Sequence, residues 1–411
     1  MWAKPSVPAL ARELRRICLD ALPEPMLRER VNLWQREQGV SVAWHPAEEG
    51  LSIDLREDGS LVAWAVTNTV GPGYHAFLIE LLDRISAQWG VRWSWENAGE
   101  DEGGDETGYA LHRDMRLLQD EMTAWLRQVA RIVLERDGAQ NLFVSMPIGP
   151  MPHFAGFVGS PMGIWDEPRF RDAADDAGDA LVLAREFFPW WQRGFQADFW
   201  GGMARVGLWC DVSWVGPRDQ AERDTLRGVL ESDRRASALD PDRALAPALR
   251  DELHWLLERG AEIELPQAEG PGYKRLPTRH VLYGGSWSVE VPGHFIEHQL
   301  NDGKNLQYVG DRRAVYVSSL SVAADDGSLP PAAELLETAS GEAGADLRWA
   351  HDDILACAYW ERDRDGGVRH LYAACAVDGQ VLLLTITDEL DAAQDWAEAV
   401  ARSVRWAPRE D

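Results

Sequence analysis

Twenty of the 411 residues are tryptophan, in a chain whose 68 acidic and 41 basic side chains leave a formal charge of −27. Indoles gain from burial and carboxylates from hydration, so this composition calls for a well-packed aromatic interior inside an acidic shell. The length exceeds the roughly 250–300 residues at which single cores stop growing, which predicts two or three domains.

The same charge narrows the choice of partner. Only Lys4, Lys274 and Lys304 are lysines against 38 arginines, a skew that points to a GC-rich bacterial genome rather than to phosphate recognition. The overall field repels nucleic acid and anionic membrane, so neither is expected as a partner; it favours a basic protein. Cys18, Cys210, Cys357 and Cys375 are far apart and form no Cys-x-x-Cys pair, which predicts reduced, buried thiols. The N-terminal stripe Leu10, Leu14, Ile17 and Leu22, interleaved with Arg12, Arg15 and Arg16, is an amphipathic helix too charged for a signal peptide. With no apolar run of about 18 residues to span a membrane, the expected address is a bacterial cytoplasm.

Periodicity divides the chain into three regions. After two short helices separated by Pro23-Glu24-Pro25, residues 40–68 alternate at period two around Gly50 and Asp58-Gly59, the pattern of a three-stranded meander. Gly71-Pro72-Gly73 breaks it. Phe77, Leu78, Leu81, Leu82, Ile85 and Trp89 then mark a helix, a strand is expected over 91–95, and Glu96 to Glu106 reads as a solvated acidic loop. From Leu111 to Ile132 apolar residues recur in steps of four and three, predicting one long helix. Residues 147–163 are rich in Pro and Gly and read as a loop, and seven aromatics fall in the fourteen positions from Phe187 to Trp200. Two helices follow, through Leu226 and Leu253. Beyond a Pro-containing connector, five strands are expected within 289–386, the last pair joined at Asp378-Gly379, with a helix after Pro330-Pro331 and another from Asp391 to Val404.

The reading is therefore an α+β protein: an N-terminal α/β region with long helices and an antiparallel meander (1–145), a Trp-rich, mainly helical middle (146–265) forming one composite domain with it, and a C-terminal α/β sandwich (278–411). The sandwich region resembles the PsbP-like superfamily in its opening Trp287-Ser288-Val289-Glu290-Val291-Pro292-Gly293-His294-Phe295, its strand from Val315 to Ser319, and its hairpin followed by a terminal helix ending in Ser403-Val404. The resemblance covers about a third of the chain and implies a domain used for binding; it carries no catalytic residue. The first two thirds resemble bacterial proteins of variable gene neighbourhoods.

Four clusters bear chemistry. His294, Glu297 and His298 match the inverted zincin order, but zinc needs both imidazoles one helical turn apart and this stretch is patterned as strand, so no metal is expected. Gly71 to His75 precedes a helix and could offer amides to an anion, but it lacks the spacing of a phosphate loop and a strand-to-helix turn is the expected role; Tyr74 and His75 are its testable residues. His112 beside Asp114 suggests acid–base work, but adjacent helical residues face apart. The aromatic run containing Trp190 and Trp191 is either a core or a recognition surface. Together with the loop carboxylates Asp101, Glu102, Asp105 and Glu106, these give the candidate binding set Tyr74, His75, Asp101, Glu102, Asp105, Glu106, His112, Trp190 and Trp191. The leading expectation is a cytoplasmic factor that masks a basic toxin or effector, in the manner of an immunity protein, without a cofactor. The alternative is a hydrolase with a cleft near Tyr74, His75 and His112.

Overall fold

The computed structural model of the chain describes residues 6–95, 104–135, 142–145, 151–152, 157–175, 180–259, 272–282, 286–301, 305–310, 312–323, 327–340, 344–363, 368–389 and 394–407. The protein has α+β architecture and divides into two compact units. The first comprises 1–149, 154–212 and 217–258; the second comprises 150–153, 213–216 and 259–411. Among the described residues no helix is long and apolar enough to cross a membrane.

The first unit opens with α1 (Val7–Ala21) and α2 (Pro25–Glu29), followed by β1 (Asn32–Gln35), β2 (Gly39–Ala43), β3 (Leu51–Leu55) and β4 (Leu61–Trp64). These strands form one antiparallel sheet in sequence order, so among the described residues the meander has four strands rather than three, and β4 is an edge. β1 escapes the sequence pattern because none of its residues is buried and it shows no alternation. The stripe of α1 packs on β1, β2 and α3 (Pro72–Trp89), burying Leu10, Leu14 and Ile17.

Residues 91–95 are not a strand. The Trp93 indole N–H donates to Leu82 O at 2.9 Å, so this segment is tied to α3 rather than to a ladder. The expected long helix is broken into α4 (Tyr109–His112) and α5 (Met115–Glu135). Arg113 adopts φ 55°, and the Asp114 carboxylate caps the new start by accepting from Arg116 N at 2.9 Å. Leu111, placed on the apolar stripe by spacing, is consequently 58% exposed.

Next come β5 (Leu142–Phe143), β6 (Met151–Pro152), which belongs to the second unit, β7 (Phe157–Ser160) and β8 (Gly163–Asp166), so the Pro/Gly-rich stretch contributes strands as well as loop; β5, β7 and β8 form a small sheet of the first unit. α6 (Glu167–Ala174), α7 (Ala180–Phe187), α8 (Ala197–Val206), a π-turn at Gly207–Asp211, α9 (Gln220–Leu239) and α10 (Pro247–Arg259) complete the unit. The aromatic run is interior. Phe187, Phe188, Trp190, Trp191, Phe199 and Trp200 are at most 3% exposed. It is also not one helix, since α7 ends at Phe187 and α8 begins ten residues later.

The second unit holds β9 (Pro277–Val281), β10 (Trp287–Pro292), β11 (Ile296–Leu300), β12 (Asn305–Val309), β13 (Arg313–Ser321), α11 (Ala332–Ser340), β14 (Leu347–His351), β15 (Ile354–Arg362), β16 (Arg369–Val377), β17 (Gln380–Asp388), α12 (Gln394–Arg402) and β18 (Arg405–Trp406). Seven strands make an antiparallel sheet in the order β11-β12-β13-β17-β16-β15-β14, and a smaller sheet runs β18-β10-β9-β6. One face of the large sheet shares a core with α12 and β10; part of the other packs on α11 through Leu335, Leu336, Cys357 and Ala374. The β16–β17 turn is the expected Asp378-Gly379, with Gly379 at φ 74°. This unit's segment 213–216 supplies Trp214, whose ring lies 3.6 Å from the Arg275 guanidinium.

Candidate functional site

The start of α3 positions two adjacent side chains with opposite fates. Successive helical residues are about 100° apart, so Tyr74 points into the aromatic core while His75 points into a cleft. Tyr74 is fully buried and its hydroxyl donates to the Glu48 carboxylate, which also accepts the backbone N–H groups of Trp44 and His45. Burial raises the Glu48 pKa to about 7 against the lowering effect of these donors. His45, 3% exposed, packs parallel to Trp190 and accepts Ala47 N–H on Nδ1 at 3.1 Å; among the described residues its Nε2 has no partner. Burial lowers its pKa to about 3. This set is a core network.

His75 is different. Its Nδ1 lies 3.1 Å from Thr67 Oγ1, and its Nε2 lies 3.2 Å from Asp105 Oδ1. Asp105 is not a solvated loop carboxylate: its side chain is 2% exposed and accepts Thr107 N, Thr107 Oγ1 and Ala110 N at 3.0, 2.6 and 2.5 Å. Burial alone would raise its pKa, but the hydrogen bonds from His75, Thr107 and Ala110 outweigh it and hold the carboxyl well below the usual range. In the tautomer that places a proton on Nε2, toward the Asp105 carboxylate, Nδ1 accepts the Thr67 hydroxyl, giving a relay Thr67–His75–Asp105.

Two adjoining cavities meet at this relay, sharing Ala65, Thr67, His75, Gly104 and Asp105. The larger, about 610 Å³, is a groove. One side is the edge strand β4 and Ala65. The floor is the α3 stripe His75, Leu78, Ile79 and Leu82, at helical spacing. The far side is Arg92 to Trp95, with Arg56 and Ser60 at one end. Trp64, 49% exposed, joins Trp93 and Trp95 as indole walls. The smaller, about 490 Å³, continues past Glu106 and Glu121 to Trp125 and Gln128 of α5. An aromatic, mostly preformed concavity with a few convergent polar groups is the ordinary form of a binding site.

Of the nine sequence candidates, this site collects His75, Asp105 and Glu106. Tyr74, Trp190 and Trp191 are buried in the core, because a surface indole run would cost the apolar area that the interior recovers. His112 sits exposed at the end of α4, outside the groove lining. Asp101 and Glu102 lie outside the described residues. Sequence reasoning missed Thr67, Thr107, Trp64, Trp93 and Trp95. The tryptophans were visible as letters, but nothing local marked them as groove walls.

The other patterns resolve structurally. The Gly73 N–H donates to Trp190 O at 2.8 Å, so that amide of the helix start is engaged by the chain itself, not offered to an anion. A Cβ on Gly73 would collide with the Trp190 ring and Gln192 O, which explains the glycine. In the second unit, β11 is a strand, so Glu297 and His298 face opposite sides of the sheet; Glu297 reaches His280 Nδ1 at 3.3 Å instead. His294 stacks edge-on against Phe295. The helix that the zincin pattern requires is absent, and among the described residues no cluster of three or more His, Cys, Asp or Glu could hold a metal. All four cysteines are buried, and among the described residues they form no disulfide.

No protein-family model matches the chain, and no curated protein is similar to it in sequence. Among solved structures, one from Bacteroides thetaiotaomicron VPI-5482 is similar over 32% of this chain and 49% of its own, with 9% identity and a TM-score of 0.26. The chain thus spans about half the length of that structure, and the similarity carries no functional argument.

Proposed function

We propose that this chain is a protein-binding factor of a bacterial cytoplasm that docks on a basic partner, masking it in the manner of an immunity or accessory protein, and that the groove between β4 and α3 is its recognition site. The observation that carries this reading is the groove's composition. Three indoles wall it, the larger part of an anchor-residue pocket, and Glu106 and Glu121 line its continuation where a cationic side chain would be received. The overall charge of −27 adds long-range attraction for such a partner. The PsbP-like resemblance of the second unit, as a binding domain, supports the same reading.

The test is comparative capture from native lysate with the full chain, the Trp93→Ala variant and the Glu121→Arg variant. A partner of basic isoelectric point retained by the parent and lost by both variants is expected. Equal retention by all three removes the groove from the function.

The Thr67–His75–Asp105 relay favours a second reading, acyl transfer or hydrolysis with His75 as base toward the Thr67 hydroxyl. Turnover of a 4-nitrophenyl ester abolished by both Thr67→Ala and His75→Ala supports it; a rate the same in parent and variants rejects it.

A further inference from the structure

We propose that the groove takes its ligand by strand addition: an extended segment of the partner polypeptide pairs with the free edge of β4. This rests on the groove being the recognition site, and it specifies how recognition occurs.

The first support is topological. β4 is hydrogen-bonded to β3 through Leu61↔Leu55, Val62↔Asp54, Ala63↔Ile53 and Trp64↔Ser52, and among the described residues it has no strand on its other side. In an antiparallel ladder alternate residues turn both N–H and C=O away from the partner strand, so this edge offers a row of backbone groups to a newcomer. At four residues β4 is a short edge, but Leu61, Val62, Ala63 and Trp64 carry none of the charge that commonly bars pairing at exposed edges.

The second support is that the groove runs along this edge. Leu61, Val62, Ala63, Trp64 and Ala65 all line it, facing the α3 stripe. A strand laid beside β4 at the usual spacing of about 4.8 Å would lie between β4 and the 92–95 segment. Its alternate side chains would point toward Leu78 and Leu82 on one side and toward solvent on the other. Backbone pairing then supplies affinity, and the pockets supply choice, as in other edge-pairing complexes.

Charge selects the occupant. Arg56 and Arg92 lie at the β4-start end, and Glu106 and Glu121 lie beyond His75 at the other. A segment lying along the groove with an acidic side chain at the first end and a basic one at the second meets opposite charge at both. A small rigid ligand has no use for the backbone row; a polypeptide does.

The test uses the full chain and a random twelve-residue peptide library displayed on phage. Enriched peptides carrying both a basic and an acidic residue are expected. Backbone N-methylation of a selected peptide, one position at a time, should weaken binding about tenfold or more at alternate positions and little between them, and bound peptide should slow amide exchange at 61–65. Val62→Pro and Ala63→Pro provide the protein-side check: one removes an N–H from the β3 ladder and the other from the open edge, and the variant whose melting is unchanged should lose the peptide. No enrichment above that on this variant, methylation tolerated throughout, or protection elsewhere overturns strand addition. If partner capture still depends on Trp93 and Glu121 in that event, the groove reading survives and only the pairing mode is wrong. If capture is independent of both residues, the underlying reading itself fails.

Discussion

Glu48 and His45 sit three residues apart in one core network, and burial pushes their proton affinities in opposite directions. Glu48 is raised from 4.5 to about 7; its protonated form is favoured by folding, so its contribution is complete below 4.5 and is lost as pH rises toward 7. His45 is lowered from 6.5 to about 3; its neutral form is favoured, so its contribution is complete above 6.5 and is lost as pH falls toward 3. Each alone gives a slope of about 1.4 kcal/mol per pH unit, and between 4.5 and 6.5 the slopes cancel. Glu48→Gln keeps the shape and removes one titration. Urea denaturation of this variant should therefore show stability rising with pH across that window relative to the parent. Parallel curves for the two proteins would mean that Glu48 does not titrate there.

At the scale of elements, the seat of α3 is set by backbone approach rather than by side-chain volume. Gly71 (φ 113°) and Gly73 let residues 188–192 cross the helix start, with Gly73 N–H donating to Trp190 O and Trp190 N–H donating to Val70 O at 2.9 Å. Gly202 on α8 meets the Pro189 carbonyl in the same way. Adding one methyl at Gly73 or Gly202 forces a fixed backbone to move, so Gly73→Ala and Gly202→Ala should each cost about 1–3 kcal/mol. Chemical denaturation measures this directly, and a variant as stable as the parent would show that the loop yields freely. Because His75 is two residues from Gly73, the first substitution should also disturb the Thr67–His75–Asp105 relay.

For the whole molecule the governing quantity is charge. Between 281 and 411 there are 23 acidic and 10 basic residues, a net of −13, so about half the total lies in about a third of the chain. Such a field accelerates encounter with a cationic partner and fades as salt shortens the screening length from its value of about 10 Å at 0.1 M. The association rate of the captured partner should fall steeply between about 50 and about 500 mM salt, with a much smaller change in dissociation. An association rate indifferent to salt would leave the charge as a solubility device alone.

What the sequence determined by itself is whatever its residues decide with near neighbours. The stripes of α1, α3, α9, α10 and α12, the meander turns and the Asp378-Gly379 hairpin follow from helical or strand period and from turn chemistry, which act over a few residues. Strands without alternation were invisible: β1 and β11 bury none of their residues, and they exist because neighbours pair with their backbones. The expected strand at 91–95 and the unbroken helix at 111–132 failed for the complementary reason, since a single indole hydrogen bond and a single capping carboxylate overrode the pattern. The groove needed the tertiary structure altogether. His75 and Asp105 are thirty residues apart, and their neighbours Trp64, Trp93 and Glu121 come from an edge strand, an irregular segment and a third element. Tyr74, one position from His75, went to the core because one helical step turns a side chain by about 100°, and only the packing of α3 decides which of the two faces water.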